Sequence, residues 1–506
     1  MTRAARHDAI IVGSGPTGQY AAKALCESGL RVLVLEAGSA KIASDARLMY
    51  DRLRRRLGYR IEEDPAAVRR QRLQSSCYAW PTHPHAFVDD IDNPYTTEAD
   101  QPFTWVRCRQ VGGRMTVRRH GLQFYRLSAM DLTAGDRDGA APSWPLSYED
   151  LVPYYERIER WMKLRGTRSG LAHLPDSILA QDVEPDAGLR LLGAAIERNW
   201  SDRRLIPGRT AAPPVPIRDA LATGRCTLRT NAVVTRLVTD ARTGTIKSVR
   251  YVGRRTRREH EESARIVVLC ASSIESARLL LASASPQHPE GLANSSGTLG
   301  RFLMDHVHVT GINADVPGSD TESQAIRSWG YIPRFRNVGG TDQPFLRGYG
   351  VQVFTLGRQC GMTVFGEMLP HADNRVTLDP AVMDEWGVPA ARIRCMHGPN
   401  ELAMARDAAG ACSDMLRAAG FNIWRFNTGV SPPGLAIHEV GTARMGRDPG
   451  DSVLNSFCQS WDVKNLFVMD GSCFVSQGVQ NPTLTMLALA ARSCDYLLDR
   501  LKRGEL

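Results

Sequence analysis

Lysine is almost missing from this 506-residue sequence: Lys23, Lys41, Lys163, Lys247, Lys464 and Lys502 are all there is. The net charge of +9 therefore rests on arginine, scattered along the chain with acids between. The densest clusters, at 52–56 and 254–258, are each followed by acids (Glu62 and Glu63, Glu259 and Glu261). They read as solvated faces and not as a nucleic-acid footprint. No stretch approaches the ~18 consecutive apolar residues of a membrane helix. Residues 1–8 have no apolar h-region, which argues against an ordinary signal peptide. The 11 cysteines are odd in number and dispersed, and they form neither CxxC nor a zinc-type Cys/His group. A reducing compartment, the cytoplasm, is expected, with no metal, membrane or nucleic-acid partner. Hydrophobic residues make up 43% of the chain, enough to bury a large core, so wholesale disorder and a small disulfide scaffold are excluded. At roughly 100–200 residues per domain, two or three domains are expected.

Ala9–Val12 reads as a short buried strand, 13–18 as a glycine loop, 19–28 as a helix and 31–35 as a second apolar strand. Gly13-Ser14-Gly15-Pro16-Thr17-Gly18 is thus a GxGxxG inside a β-α-β unit, with Glu36 ending the second strand. Glycines there permit a tight turn and close approach of backbone to a pyrophosphate, the helix N-terminus supplies N–H groups, and Glu36 can accept from ribose hydroxyls. Gly13, Gly15, Gly18 and Glu36 are therefore candidate dinucleotide contacts, the alternative being a merely tight turn.

A plain NAD fold would continue with further β-α units. Here the pattern loosens at about 40–105 into an insertion with Pro, His and Tyr at 78–85, read as a lid over the site. A helical stretch at 144–164 follows, then strands at 230–238 and 246–252 around a turn, feeding the apolar Ile266–Leu269. Residues 306–435 alternate short strands (307–312, 350–354, 362–365) with turns and carry a helix near 401–419. The chain closes with a strand, a loop containing Asp470-Gly471-Ser472, and a helix at 483–501. Closure of a dinucleotide site from the far end of the sequence favours FAD over NAD.

Three C-terminal segments carry the most information: Ile437-His438-Glu439-Val440-Gly441-Thr442-Ala443-Arg444-Met445-Gly446, Val468-Met469-Asp470-Gly471-Ser472 and Gln480-Asn481-Pro482-Thr483-Leu484-Thr485. With Val111-Gly112-Gly113-Arg114 and Asn294-Ser295-Ser296-Gly297, the chain resembles the glucose-methanol-choline flavin oxidoreductase family almost end to end. Trp144-Pro145-Leu146-Ser147-Tyr148-Glu149-Asp150-Leu151, Phe302-Leu303-Met304-Asp305-His306 and Asn374-Arg375-Val376-Thr377-Leu378-Asp379 resemble the bacterial branch near pyranose oxidases and glycoside 3-oxidases. The resemblance implies an α/β fold: a Rossmann-like FAD-binding domain with an inserted mixed-sheet (α+β) substrate-binding domain. The implied division is 1–305 with the lid-like insertion, 306–435 for substrate, and 436–506 returning to FAD. It also implies a catalytic pair at His438 and Asn481, and FAD contacts at Gly113, Arg114, Met115, Val234, Asp470, Gly471, Asn481 and Thr483.

The chemistry agrees. Moving a hydride from an alcohol carbon to flavin N5 leaves a hydroxyl proton, and neutral imidazole suits its removal. Asn481 can orient the oxygen without competing for the proton. Asn481-Pro482 also has the pattern of an N-cap with Pro in the first turn, opening a helix whose N-terminus would face the flavin pyrimidine. After Arg114 the chain reads Met115-Thr116-Val117-Arg118-Arg119-His120-Gly121 and departs from the branch pattern, with no clear counterpart of the histidine that tethers flavin in some relatives, although His120 is nearby. Non-covalent FAD is expected. His83, His85, His306 and His308 lack metal-ligand spacing and read as packing. The expected activity is oxidation of a secondary alcohol of a sugar or glycoside to the ketone, with O2 or another electron acceptor. Trp329, Tyr331 and Phe354 are stacking candidates or core. Gln352, Thr363 and Glu367 are polar candidates on one strand face. Three alternatives stand: a dehydrogenase with a non-oxygen acceptor, a lyase with an idle flavin, and a flavin-binding protein without catalysis, which the intact His438 and Asn481 pair argues against.

Overall fold

The runs Ala9–Val12, Val32–Glu36 and Ile266–Leu269 are apolar up to Glu36, so they suit strands covered on both faces. In the computed structural model, which describes residues 7–40, 65–117, 122–211, 216–318 and 327–506, they form the centre of a five-stranded parallel sheet. Its order is Leu466–Val468, Ile266–Leu269, Ala9–Val12, Val32–Glu36, Cys226–Thr230. The helix Pro16–Glu27 packs on Thr483–Lys502, which packs in turn on Tyr148–Met162. The last of these starts with a reciprocal cap: Ser147 Oγ accepts from Asp150 N–H at 3.2 Å, and Asp150 accepts from Ser147 N–H at 2.9 Å. The antiparallel strands Ala232–Thr239 and Ile246–Gly253 give Leu237, Ile246 and Val249 to the same core. Each fully buried Ile, Leu or Val contributes about 1.5–3 kcal/mol relative to exposure.

A second, six-stranded sheet is antiparallel, in the order Asn422–Arg425, Val307–Asp315, Gln359–Gly366, Tyr349–Leu356, Arg327–Ile332, Ile206–Pro207. Alternation decides its two faces. Val351, Val353 and Met362 point into a core shared with the helices Ala187–Asn199 and Pro399–Ala418. Gln352, Phe354 and Thr363 point the other way, into a cavity. Packing crosses the limits expected at 305 and 435 in both directions. Ala187–Asn199 belongs to the second core, whereas the strands Arg375–Met383 and Pro389–Arg394 return Val376, Ala391 and Ile393 to the first.

Several expectations change. The strand expected at 230–238 is two strands, because Asn231 has φ +56° and turns the chain from the parallel sheet into the antiparallel one. Of the insertion at about 40–105, residues 41–64 lie outside the described residues, as do the arginine cluster at 52–56 and His120. The remainder forms short helical turns over a small core of Cys77, Trp80, Phe87 and Val106. Among the described residues no helix is long and apolar enough to cross a membrane, no group of His, Cys, Asp and Glu has metal-binding geometry, and all 11 cysteines are free.

The glycine loop is held by close approach. Gly13 has φ +94°, and a Cβ there would lie 2.4 Å from the Cys270 carbonyl oxygen. A Cβ at Gly18 would lie 2.1 Å from the Gly13 carbonyl oxygen. Gly13→Ala is therefore expected to destabilise the protein by about 1–3 kcal/mol, read as a lowered denaturation midpoint. An unchanged midpoint would show that the loop relaxes without cost.

Candidate active site

A cavity of about 620 Å³ runs from the glycine loop to the face of the six-stranded sheet. At the loop end the first helix begins at Pro16 with Gly15 as N-cap and no side-chain cap, and Gly15, Pro16 and Thr17 line the cavity. A Cβ at Gly15 would meet nothing nearer than the Cys270 carbonyl oxygen at 4.0 Å, and one at Gly113 would lie 3.6 Å from Gly15 Cα. Two glycine backbones thus face each other where side chains would fill the cavity. That is the cradle a dinucleotide pyrophosphate requires.

Gly13, Gly15, Glu36, Gly113, Arg114, Met115, Val234, Asp470, Gly471, Asn481 and Thr483 all line this cavity. Gly18 does not: it lies behind the loop, where it lets the helix approach the strand. Glu36 accepts from Ser14 N–H at 3.0 Å, Ser14 Oγ at 2.5 Å and Gly38 N–H at 2.7 Å, so it shapes the loop as well as facing the cavity. Asp470 accepts from Ser272 N–H and Ser276 Oγ through one oxygen, and from Ser472 N–H and Oγ through the other. It thereby ties the end of the sheet to the helix Ser273–Ala282. Burial raises its carboxyl against the pull of these donors.

At the other end stand His438 and Asn481. Asn481 Nδ2 lies 3.1 Å from His438 Nε2, and Asn481 Oδ1 accepts from Gln352 Nε2 at 2.7 Å. The expected N-cap role of Asn481 is not observed: the helix Thr483–Lys502 has Pro482 at its cap without a side-chain bond, and the Asn481 side chain is spent on His438 and Gln352. The loop 434–438 is folded around Asp305, whose carboxylate accepts from Gly434 N–H at 2.7 Å, Ala436 N–H at 3.2 Å and His438 N–H at 3.0 Å. Burial, reinforced by Glu439, pushes Asp305 up to about 7. Burial holds His438 well below its ordinary value, and His306, Arg114 and His308 push the same way. Arg114 itself pairs with Glu439 at 2.7 Å.

The reading of His306 and His308 as plain packing is corrected. His306 Nδ1 lies 3.0 Å from His438 Nδ1, and its Nε2 lies 3.1 Å from the Gly478 carbonyl oxygen. His308 lines the cavity opposite Phe365 in the sheet register, and burial lowers it to about 4. Neither has a spacing signal that points to His438. Only strand pairing brings Asp305 and His306 to the loop 434–438. Trp329 and Phe354 reach the cavity face, paired in register, but Tyr331 stacks on Tyr125 at 4.1 Å inside a separate cluster. Gln352 and Thr363 sit opposite each other on the cavity wall. Glu367 does not join them: it is fully buried and pairs with Arg347 at 2.7 Å. His83 and His85 lie off the cavity wall.

Known proteins resemble this chain over most of its length. Residues 370–490 match the GMC oxidoreductase model, and residues 11–42 match an NAD(P)-binding Rossmann-like domain. A 2-methyl-1,2-propanediol dehydrogenase of Mycolicibacterium austroafricanum is 30% identical, with 99% of this chain and 96% of the relative covered. A 6'''-hydroxyparomomycin C oxidase of Streptomyces lividus is 28% identical over 98% of this chain and 92% of its own. Among solved structures, pyridoxine 4-oxidase from Mesorbium loti superposes with a TM-score of 0.65 at 18% identity, covering 98% and 99% of the two chains.

Because three N–H groups converge on Asp305, its removal leaves them unpaired in a buried place. Asp305→Ala is expected to lower stability by at least about 1–3 kcal/mol, read as the denaturation midpoint. No change would mean that water reaches the loop 434–438.

Proposed function

Because the chain belongs to the glucose-methanol-choline oxidoreductase family, FAD-dependent enzymes acting on CH–OH groups, we propose that it oxidises a secondary alcohol of a sugar or glycoside to the ketone. The observation that carries the reading is the 3.1 Å pairing of His438 Nε2 with Asn481 Nδ2 at the sheet end of the cavity. FAD, when bound, supplies the hydride acceptor. Gly13, Gly15, Glu36, Gly113, Arg114, Met115, Val234, Asp470, Gly471 and Thr483 would hold it, with Gly18 supporting the loop from behind.

The remaining work falls to side chains of this protein. His438 Nε2 removes the hydroxyl proton as the hydride leaves the carbon. Asn481 Nδ2 donates to the same oxygen, first as hydroxyl and then as carbonyl, and Gln352 keeps that amide oriented. Trp329 and Phe354 offer ring faces, and Gln352 and Thr363 offer polar atoms, on one wall contributed by residues 306–435. Rings beside fixed polar groups suit a hydroxyl-rich ring better than an alkyl chain. The relative that acts on an aminoglycoside supports a polyhydroxylated substrate, and the relative that acts on a small diol makes diols part of the test panel. One is a dehydrogenase and the other an oxidase, so the electron acceptor is a separate question, answered by comparing turnover with O2 against a dye under nitrogen.

The test is anaerobic mixing of the yellow protein with sugars, glycosides, aminoglycosides and diols, alongside fatty and aromatic alcohols, following flavin absorbance. Bleaching by the first group is expected, and bleaching by simple fatty or aromatic alcohols alone would overturn the reading. His438→Ala is expected to slow flavin reduction by about 10²-fold or more while FAD stays bound. Since His438 is held below its ordinary value of 6.5, it is already the free base at neutrality. The limiting reduction rate should therefore stay level from about pH 7 to 9 and fall only on acidification. Acid precipitation should release FAD into the supernatant, and flavin retained in the pellet would reveal a covalent link.

A further inference from the structure

A histidine can act as a base only at a nitrogen that carries no proton, and the hydrogen bonds around the ring decide which one that is. Here the backbone provides a fixed point. The Gly478 carbonyl can only accept, and it lies 3.1 Å from His306 Nε2, so the proton of His306 sits on that nitrogen. Burial pulls His306 down to about 3, so the ring holds a single proton at neutrality and its Nδ1 is a bare acceptor. Gln477 Nε2 donates to the same Nδ1 from 3.2 Å, and it is held in that orientation by a 2.9 Å bond to the His438 carbonyl.

His438 Nδ1, 3.0 Å from this acceptor, must then be the protonated nitrogen of its ring. Its Nε2 is left bare and accepts from Asn481 Nδ2 at 3.1 Å. Asn481 must present its Nδ2 to that bare nitrogen, which turns its Oδ1 to the hydrogen bond from Gln352 at 2.7 Å. From the Gly478 carbonyl to Gln352, each bond has one permitted direction. The reverse direction would set the lone pair of His306 Nε2 against the lone pairs of Gly478.

We propose that His306 is a positioning residue for proton abstraction: pinned by the Gly478 carbonyl, it holds His438 in the Nδ1–H form with Nε2 bare toward Asn481 and the substrate hydroxyl. This rests on His438 being the base. His306 never touches substrate. It selects the tautomer and fixes the ring plane, and, being neutral, it does so without adding the basicity that a carboxylate partner would confer.

Nitrogen NMR of FAD-loaded protein carrying ¹⁵N-histidine tests the tautomer directly, without any substrate, with the His438 signals assigned by their loss in His438→Gln. The expected spectrum shows His438 protonated at Nδ1 and bare at Nε2. In His306→Leu the preference should vanish into a mixture. In His306→Asn, whose side-chain oxygen can stand where Nδ1 was, it should return. With the reductant found by the panel above, the limiting reduction rate should fall about 10-fold or more in His306→Leu and recover in His306→Asn, at unchanged FAD content. A bare Nδ1 on His438 in the unaltered protein, or an unchanged tautomer in His306→Leu, would overturn the proposal. If His306→Leu does not fold, the unaltered spectrum and His306→Asn still decide. The two readings fail separately: full reduction by His438→Ala removes the base, whereas a wrong tautomer removes only the role of His306.

Discussion

Three backbone N–H groups, from Gly434, Ala436 and His438, converge on the carboxylate of Asp305, and the next residue along the chain meets the His438 ring. One dipeptide at the start of a strand thus fixes both the backbone and the side chain of a residue 132 positions away. The arrangement depends on burial, because a solvated carboxylate would exchange these donors for water. Burial and the neighbouring Glu439 push Asp305 up to about 7, while the N–H groups that order the loop pull it down. The cavity, the His438 and Asn481 pair and the sheet wall all take their places relative to this contact.

The parts of the fold that follow from local rules were legible in the sequence. Apolar runs such as Ile266–Leu269 and the glycine pattern after Ala9–Val12 specify a buried parallel sheet and its loop without reference to the rest of the chain. His438 and Asn481 were reached through family resemblance, and the structure puts them 3.1 Å apart. His306 was not legible as a partner, since its position beside His438 follows from the antiparallel bridge between Met304 and Val440, a long-range contact that no spacing announces. Glu367 was misplaced because the strand ends at Gly366, one residue short of it, and its buried carboxyl pairs with Arg347 in the interior. Asn231 shows a third kind of miss, a single positive φ that splits one apolar run between two sheets.

Polar groups in the cavity serve shape before chemistry. Glu36 and Asp470 each satisfy loop N–H groups and hydroxyls of the protein, and so hold the turns that a dinucleotide would touch. Arg114, the last residue before the chain departs from the branch pattern, is paired with Glu439 next to His438 and carries a neutralised charge and not a free one. Within the sheet wall, Gln352 has two neighbours of consequence, Thr363 across the strand and Asn481 across the cavity, and it joins the face for substrate to the pair that would act on it.

The interleaving of the two cores has a consequence for modularity. Ala187–Asn199 leaves the first half of the chain to cover the second sheet, and the strands Arg375–Met383 and Pro389–Arg394 travel back to fill the first core. No single cut-and-paste of contiguous sequence moves the substrate wall intact into another scaffold. A chimera that aims to transplant the wall has to carry the helix with it and leave the returning strands behind.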